Sequence, residues 1–319
     1  MDLESIKDKV LGGGKVTREE AEWLAWYENL DALCDAANEI TRVKHGNRVD
    51  SCSIVNARSG LCGEDCKWCA QVKKLNLGCE VYDFLDEEST LKAAKRNCKE
   101  GIRRFSLVTS GRSVGKKDLE KFCKTIRRIK DETDLHVCAS MGLLDEERMQ
   151  MLKDAGVERY HCNMETSEKV FGRLCSTHTP ADKRKTIAAA RKAGLSVCSG
   201  GIIGMGETMK DRIDFAFELA DLDIVSVPIN ILNAIPGTAL EHQEPLPEDE
   251  IIRTVAVFRF ILPDKALRFA GGRKRLSHDS QVRIMKGGMN GVLMGDMLTT
   301  VSNTIADDRV LFEETGFEF

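Results

Sequence analysis

The 319-residue chain has no apolar run approaching the ~18 residues that a membrane-spanning helix needs. It also lacks an excess of positive charge. With 47 Lys+Arg against 51 Asp+Glu, the formal net charge is -4, which excludes nucleic-acid binding driven by a bulk basic surface. Only six prolines are present, and no Pro/Ser-rich linker or low-complexity segment divides the chain. The six histidines form no H-x3-H or H-E-x-x-H pair, which removes the common helical zinc-hydrolase motifs. Gly12-Gly13-Gly14-Lys15 lacks the spacing and the following Ser/Thr of a phosphate-binding loop. The opening segment Met1–Val10 is charged and has no apolar centre of the kind a secretion signal carries. The expected location is therefore the cytoplasm, with neither membrane nor nucleic acid as a partner.

Hydrophobic residues make up 42% and charged residues 31%, enough apolar material for a large core without disulfide staples. From Thr17 to about Thr41 the pattern is helical: Thr17 and Glu20 match a capping box, and Ala21, Leu24, Ala25 and Leu33 continue one apolar face. Beyond it, β-like runs appear at Cys52–Ala57, Arg104–Thr109, Leu135–Ala139, Arg159–Met164, Leu195–Ile203, Ile224–Ile229, Leu267–Ala270 and Val292–Met294. Helix-length amphipathic segments such as Glu88–Glu100, Lys117–Lys130 and Lys183–Ala193 lie between them. Strand–helix alternation implies a parallel sheet, and eight strands suit an α/β (β/α)8 TIM-type barrel; a doubly wound open sheet is the alternative. The expected organisation is a helical N-terminal extension over residues 1–48 and a single barrel over 49–319.

Twelve cysteines are too dilute for a disulfide scaffold and point instead to metal or redox chemistry. Cys34, Cys98 and Cys123 sit in helix-like stretches and read as small hydrophobes. The sharpest feature is Gly60-Leu61-Cys62-Gly63-Glu64-Asp65-Cys66-Lys67-Trp68-Cys69, directly after the first predicted strand. Its C-x3-C-x2-C spacing supplies three thiolates on a Gly-rich turn. Structural zinc usually takes four ligands in two separate pairs, and no fourth Cys or His follows at that spacing. Cysteine thiolates are the usual holders of iron–sulfur clusters, and three of them on a four-iron unit leave one iron open. A zinc or thiol-redox loop is the competing reading.

This loop resembles the signature of the radical S-adenosylmethionine (SAM) superfamily. From about Arg48 to Phe319 the chain resembles the biotin synthase family, through Asn56–Gln71, Arg104-Phe105, Cys138–Leu143, Cys198–Glu207, Ser226–Asn230, Arg268–Arg273 and Gly295–Thr300. Hydrogenase-maturase-like and pyrrolysine-synthase-like enzymes share the barrel and form a second reading. The resemblance implies a 4Fe-4S cluster on Cys62, Cys66 and Cys69, with SAM chelated at the open iron. It implies radical sulfur insertion into dethiobiotin to form biotin, an electron from a low-potential donor such as flavodoxin or ferredoxin, and a homodimer.

The family also carries an auxiliary cluster, the expected sulfur donor, on three cysteines and an arginine. Cys138, Cys198 and Arg268 fall on three of those positions. The fourth departs from the pattern, because the chain reads Arg104-Phe105-Ser106 where the family has Cys. Cys52, on the first strand where the family usually has Ser, is expected to compensate. Such a set suits either a 2Fe-2S unit or a larger sulfide-bearing cluster. A buried Arg268 needs an anionic partner, which is either that cluster or an Asp/Glu.

For SAM, the resemblance points to Asn163, Glu165 and the Gly200, Ile202, Gly204, Glu207 pattern, with Lys183 or Arg184 for its carboxylate. For the substrate it points to His161 and Asn230, although a backbone hydrogen bond at the strand end is the plainer role for Asn230. The family has Asp in place of Glu165 and Asn in place of His161. Cys162 is a second candidate for the auxiliary cluster, although strand alternation turns it away from Asn163, towards packing; Cys79 and Cys175 fall in loops without a clear role.

Overall fold

A computed structural model describes residues 1–295 and 303–319. Among the described residues are nine parallel strands: β1 (Asp50–Arg58), β2 (Arg104–Thr109), β3 (His136–Ser140), β4 (Arg159–His161), β5 (Ser196–Cys198), β6 (Gly201–Ile203), β7 (Ser226–Ile231), β8 (Ala266–Phe269) and β9 (Gly291–Leu293). They pair in the order β5-β4-β3-β2-β1-β9-β8-β7-β6, and a further β5–β7 pairing closes the ring. Both β5 and β6 pair with β7, so they are two halves of one stave and the barrel has eight. Of the family-like stretch Gly295–Thr300, residues 296–300 lie outside the described residues.

The single strand expected over Leu195–Ile203 is interrupted at Ser199-Gly200. The cause lies opposite, on β7. Ala266 and Ala270 donate to the carbonyls of Val225 and Ile229, each at 3.1 Å, so the odd residues of β7 bond to β8. Pro228 therefore turns its missing N–H towards the broken stave, where it leaves no ladder bond to continue. A Cβ on Gly200 would lie 2.0 Å from the Pro228 carbonyl oxygen. The two backbones approach too closely for any side chain at that point.

The helical stretch expected over Thr17–Thr41 is two helices, Arg18–Ala25 and Leu30–His45. Thr17 and Glu20 form the capping box read from the sequence, and Asn29 starts the second helix by accepting from the Ala32 N–H at 3.0 Å. A further helix, Leu3–Leu11, precedes them. Leu3, Ile6, Leu33 and Ile40 are buried in the same apolar cluster as the barrel residues Phe105, Val137 and Val227. Cys34 and Cys123 belong to that cluster and Cys98 packs on its edge, as small hydrophobes should. Among the described residues no helix is long and apolar enough to cross a membrane.

The C-terminal helix Ile305–Thr315 is tied on by a fully buried bidentate pair, Arg273 to Asp308 at 2.5 and 2.7 Å. Arg259 is also fully buried, and donates to the carbonyls of Leu262, Lys265 and Gly288 rather than to a carboxylate. Beside it, His45 Nε2 lies 3.0 Å from Arg259 Nη1 and 2.8 Å from the Pro263 carbonyl oxygen. Protonating this ring sets one cation against another.

Burial, and after it the Arg259 cation, lowers the His45 pKa from 6.5 to about 4. The unfolded chain takes up this proton at a higher pH than the folded one does. Stability is therefore expected to fall as pH drops from about 6.5 to about 4. Thermal melts of the iron-free protein across that window should show a shallower fall for His45→Gln than for the unchanged chain; parallel curves would remove His45 as the cause.

Candidate active site

The cavity of about 470 Å³ inside the barrel is lined from floor to mouth by residues of all eight staves and the β1 loop. Side chains in register on neighbouring parallel strands point to the same face, which sorts the floor. Cys52 is in register with Arg104, Ser106 with Cys138, and His161 with Cys198. The structure thus brings Cys52, Cys138, Cys198 and Arg268 to one cavity, with Ser106 among them.

Beneath the three thiols lies Asp50. Its carboxylate accepts from Arg104 Nε at 2.9 Å and from Arg268 Nη2 at 2.7 Å, and Arg159 Nη1 stands at 3.5 Å. Burial opposes a charge here, but Arg268, Arg104 and Arg159 outweigh it and hold the Asp50 carboxyl well below the usual carboxylate range. Arg268 Nη1 donates to the carbonyls of Asp50 at 2.6 Å and Val292 at 3.2 Å. The anionic partner that a buried Arg268 requires is present within the chain. Three guanidiniums against one carboxylate leave net positive charge facing the thiols.

That charge acts unevenly. Burial pushes Cys138 up to about 12 and raises Cys52 as well. It also opposes ionisation of Cys198, but a hydrogen bond with His161 and the charges of His161, Arg268 and Arg159 bring that thiol down to about 7. His161 lines the cavity in register with Cys198, and Cys162 is buried in the main apolar cluster while also reaching the cavity wall.

Above the floor, side-chain amides lock the strand ends. Asn163 Oδ1 accepts from the Gly200 N–H at 3.0 Å, and its Nδ2 donates to Glu165 Oε2 at 3.3 Å. Glu165 has φ +75°, unusual for a side-chain-bearing residue, and its carbonyl accepts from the Ile202 N–H at 2.8 Å. A Cβ on Gly201 would lie 2.1 Å from that same carbonyl. Asn230 donates to the Gly201 carbonyl at 3.0 Å and accepts from the Gly271 N–H at 2.9 Å, which is the plainer of its two expected roles. Glu207 does not line the cavity. Its carboxylate accepts from the Gly204 and Met205 N–H groups, both at 2.7 Å, and pairs with Arg212 at 3.0 Å, so it shapes the turn that begins at Gly204.

At the mouth, the loop after β1 carries Cys62, Cys66 and Cys69 into the cavity wall. Gln71 fixes the loop through bonds of 2.9 Å from the Gly60 and Cys62 N–H groups to its side-chain and backbone oxygens. Burial raises Cys66 strongly and pushes Cys69 up to about 11. Among the described residues the three sulfurs are not gathered closely about one point. They suit an inorganic unit wider than one zinc. Lys183 is buried and lines the cavity, whereas Arg184 faces outward and pairs with Glu168 at 2.8 Å, which separates two cations the sequence left equivalent.

Asp50, Arg104 and Arg159 escaped the sequence reading. Strand alternation from Cys52, Ser106 and Asn163 was the available signal, since it places Asp50, Arg104 and Arg159 on the inner face. Gly111–Gly115 has the G-x-S-x-G spacing of a nucleophile elbow, but Ser113 Oγ is committed to the Leu143 carbonyl at 2.9 Å and to Arg148 at 2.6 Å.

Known proteins place this geometry in context. Residues 58–219 match the radical SAM superfamily, and residues 228–318 match the biotin and thiamin synthesis associated domain. The chain is 47% identical over 317 residues to a biotin synthase of Parabacteroides distasonis, covering 99% of this chain and 97% of the relative. It is 48% identical over 316 residues to one from Clostridium botulinum strain Alaska E43, covering 99% of each. In fold it resembles methylornithine synthase (TM-score 0.84, 20% identity, 98% of this chain and 96% of that one). It also resembles the FeFe-hydrogenase maturase HydG of Carboxydothermus hydrogenoformans (TM-score 0.82, 17% identity, 99% and 78%). With thiol triplets at both ends of one barrel cavity and this likeness over nearly its whole length, the chain belongs to the biotin synthase family of radical SAM enzymes.

Proposed function

We propose that the protein is a biotin synthase that inserts sulfur between two unactivated carbons of dethiobiotin. The observation that carries the reading is the stacking of two thiol triplets, Cys62/Cys66/Cys69 and Cys52/Cys138/Cys198, at the mouth and floor of one cavity. In this reading the upper triplet holds a 4Fe-4S cluster with SAM at its open iron. When bound, that pair supplies a 5′-deoxyadenosyl radical able to take hydrogen from an unactivated carbon. An external low-potential donor, a flavodoxin or ferredoxin, provides the electron.

The chain's own residues position the reactants and keep water out. Lys183 offers its ammonium group to the SAM carboxylate, and Asn163 and Glu165 present polar groups to its ribose and methionyl part. Ile202, which follows the tightly packed Gly200-Gly201 backbone and lines the cavity, offers an apolar face to the adenine. Ile54, Val108, Ile202 and Ile231 give the reaction space a dry wall.

The lower triplet holds the auxiliary, sulfur-donating cluster, either 2Fe-2S or a larger sulfide-bearing unit. Cys52 supplies the thiolate that Ser106 cannot. Arg268, with both Nη atoms engaged by Asp50, acts on this cluster through its charge.

Anaerobic incubation with dethiobiotin, SAM and a low-potential reductant should yield biotin by mass spectrometry. SAM cleavage without biotin would point to a different substrate on the same barrel. Cys52→Ala should lose the iron and sulfide of the auxiliary cluster while keeping about four irons at the loop, as measured on anaerobically purified protein. An unchanged iron and sulfide content would rule Cys52 out as a ligand.

A further inference from the structure

Cys175, which the sequence left without a role, stands beside the upper triplet. Its Sγ is 3.8 Å from Cys66 Sγ and 3.3 Å from His178 Nδ1. Among the described residues, Cys66, Cys175 and His178 are the one group of three or more metal-ligating side chains whose donor atoms all lie within 4.8 Å of one another. A disulfide would need its sulfurs about 2.05 Å apart. The observed separation instead equals the edge of a tetrahedron with metal–sulfur bonds of about 2.3 Å.

The surroundings are built for a cation. Cys175 and His178 are only 5% and 9% exposed. The His178 ring is held edge-on against Phe171, and Glu64 Oε2 lies 2.5 Å from its Nδ1. Thr177 Oγ1 donates to the same Glu64 oxygen at 2.7 Å, and the Cys175 thiol donates to Asp65 Oδ1 at 3.2 Å. Two carboxylates, Glu64 and Asp65, thus stand beside the two thiols, against the cations of the neighbourhood, Arg112 at 3.5 Å from Glu64 and Lys183 in the cavity wall.

We propose that in the cluster-free chain Cys66, Cys175 and His178 bind a single thiophilic divalent cation of the zinc or ferrous type, with Glu64 supplying adjacent negative charge. Cys66 contributes its one sulfur either to this ion or to the loop cluster, so the two states exclude each other. That exclusion rests on the cluster proposed above; the ion site itself does not.

Cobalt(II) titration of the full chain, stripped of iron and kept reduced without oxygen, tests the site. The unchanged chain should take up cobalt with tetrahedral bands and thiolate-to-metal absorption. Cys175→Ala, Cys175→Ser and His178→Gln should bind at least about tenfold more weakly, since even partners one shell further out cost that much. Cys62→Ala and Cys69→Ala should bind as the unchanged chain does, and circular dichroism should report all five variants folded. Undiminished binding by Cys175→Ser and His178→Gln would overturn the proposal, as would loss of the ion in Cys62→Ala, which would assign it to the loop. In a second arm, zinc should slow cluster reconstitution from iron and sulfide in the unchanged chain but not in Cys175→Ser; equal slowing in both would overturn the exclusion at Cys66. Neither SAM nor dethiobiotin enters the titration, so its result is separate from the fate of the biotin synthase reading.

Discussion

The interior of this barrel depends on one carboxylate. Asp50 gathers Arg104, Arg159 and Arg268 from three other staves into a single ionic knot beneath the cavity. A barrel core is ordinarily filled by branched apolar side chains, and a lone guanidinium there would cost several kcal/mol of lost hydration. Shared hydrogen bonds to Asp50 offset that cost and leave surplus positive charge next to the Cys52, Cys138 and Cys198 thiols. The knot thus reconciles a stable fold with a positively charged floor, where only the Cys198 thiol is brought below its ordinary range.

The wall above the knot is shaped by backbone more than by side chains. Pro228 denies the broken stave a ladder bond, and Gly200 and Gly201 admit carbonyls at distances no Cβ could share. At the break Asn163 accepts from the Gly200 N–H and Asn230 donates to the Gly201 carbonyl, while Glu207 accepts from the N–H groups of the turn after β6. Their side chains serve the scaffold first, and any contact they make with a bound molecule is made from a fixed position. Such fixed polar groups lose little freedom when a ligand arrives.

Much of this was legible in the chain itself. Period-two apolar runs separated by amphipathic helices announced the barrel, and C-x3-C-x2-C announced the mouth of its site. That Cys52 shares the inner face with Ser106, two register steps away on the next strand, followed from strand alternation and the family pattern together. What stayed hidden involved long-range register: the meeting of Asp50 with Arg268, 218 residues apart, has no local signature. The break at Ser199-Gly200 was equally hidden, because its cause sits on the neighbouring strand. Lys183 and Arg184 are adjacent in sequence, and only the docking of their helix separates the inward cation from the outward one.

Cys52 and Cys69 bracket a single stretch of eighteen residues, Cys52 to Cys69 inclusive, that begins in β1 and ends in its loop. One continuous peptide therefore carries cysteines to both ends of the cavity. The separation of those two ends is bounded by a short run of chain, part of it held in the sheet. For the reaction proposed, in which a carbon-centred radical must meet a sulfur atom, so short a tether limits how far the two groups of thiols can lie apart.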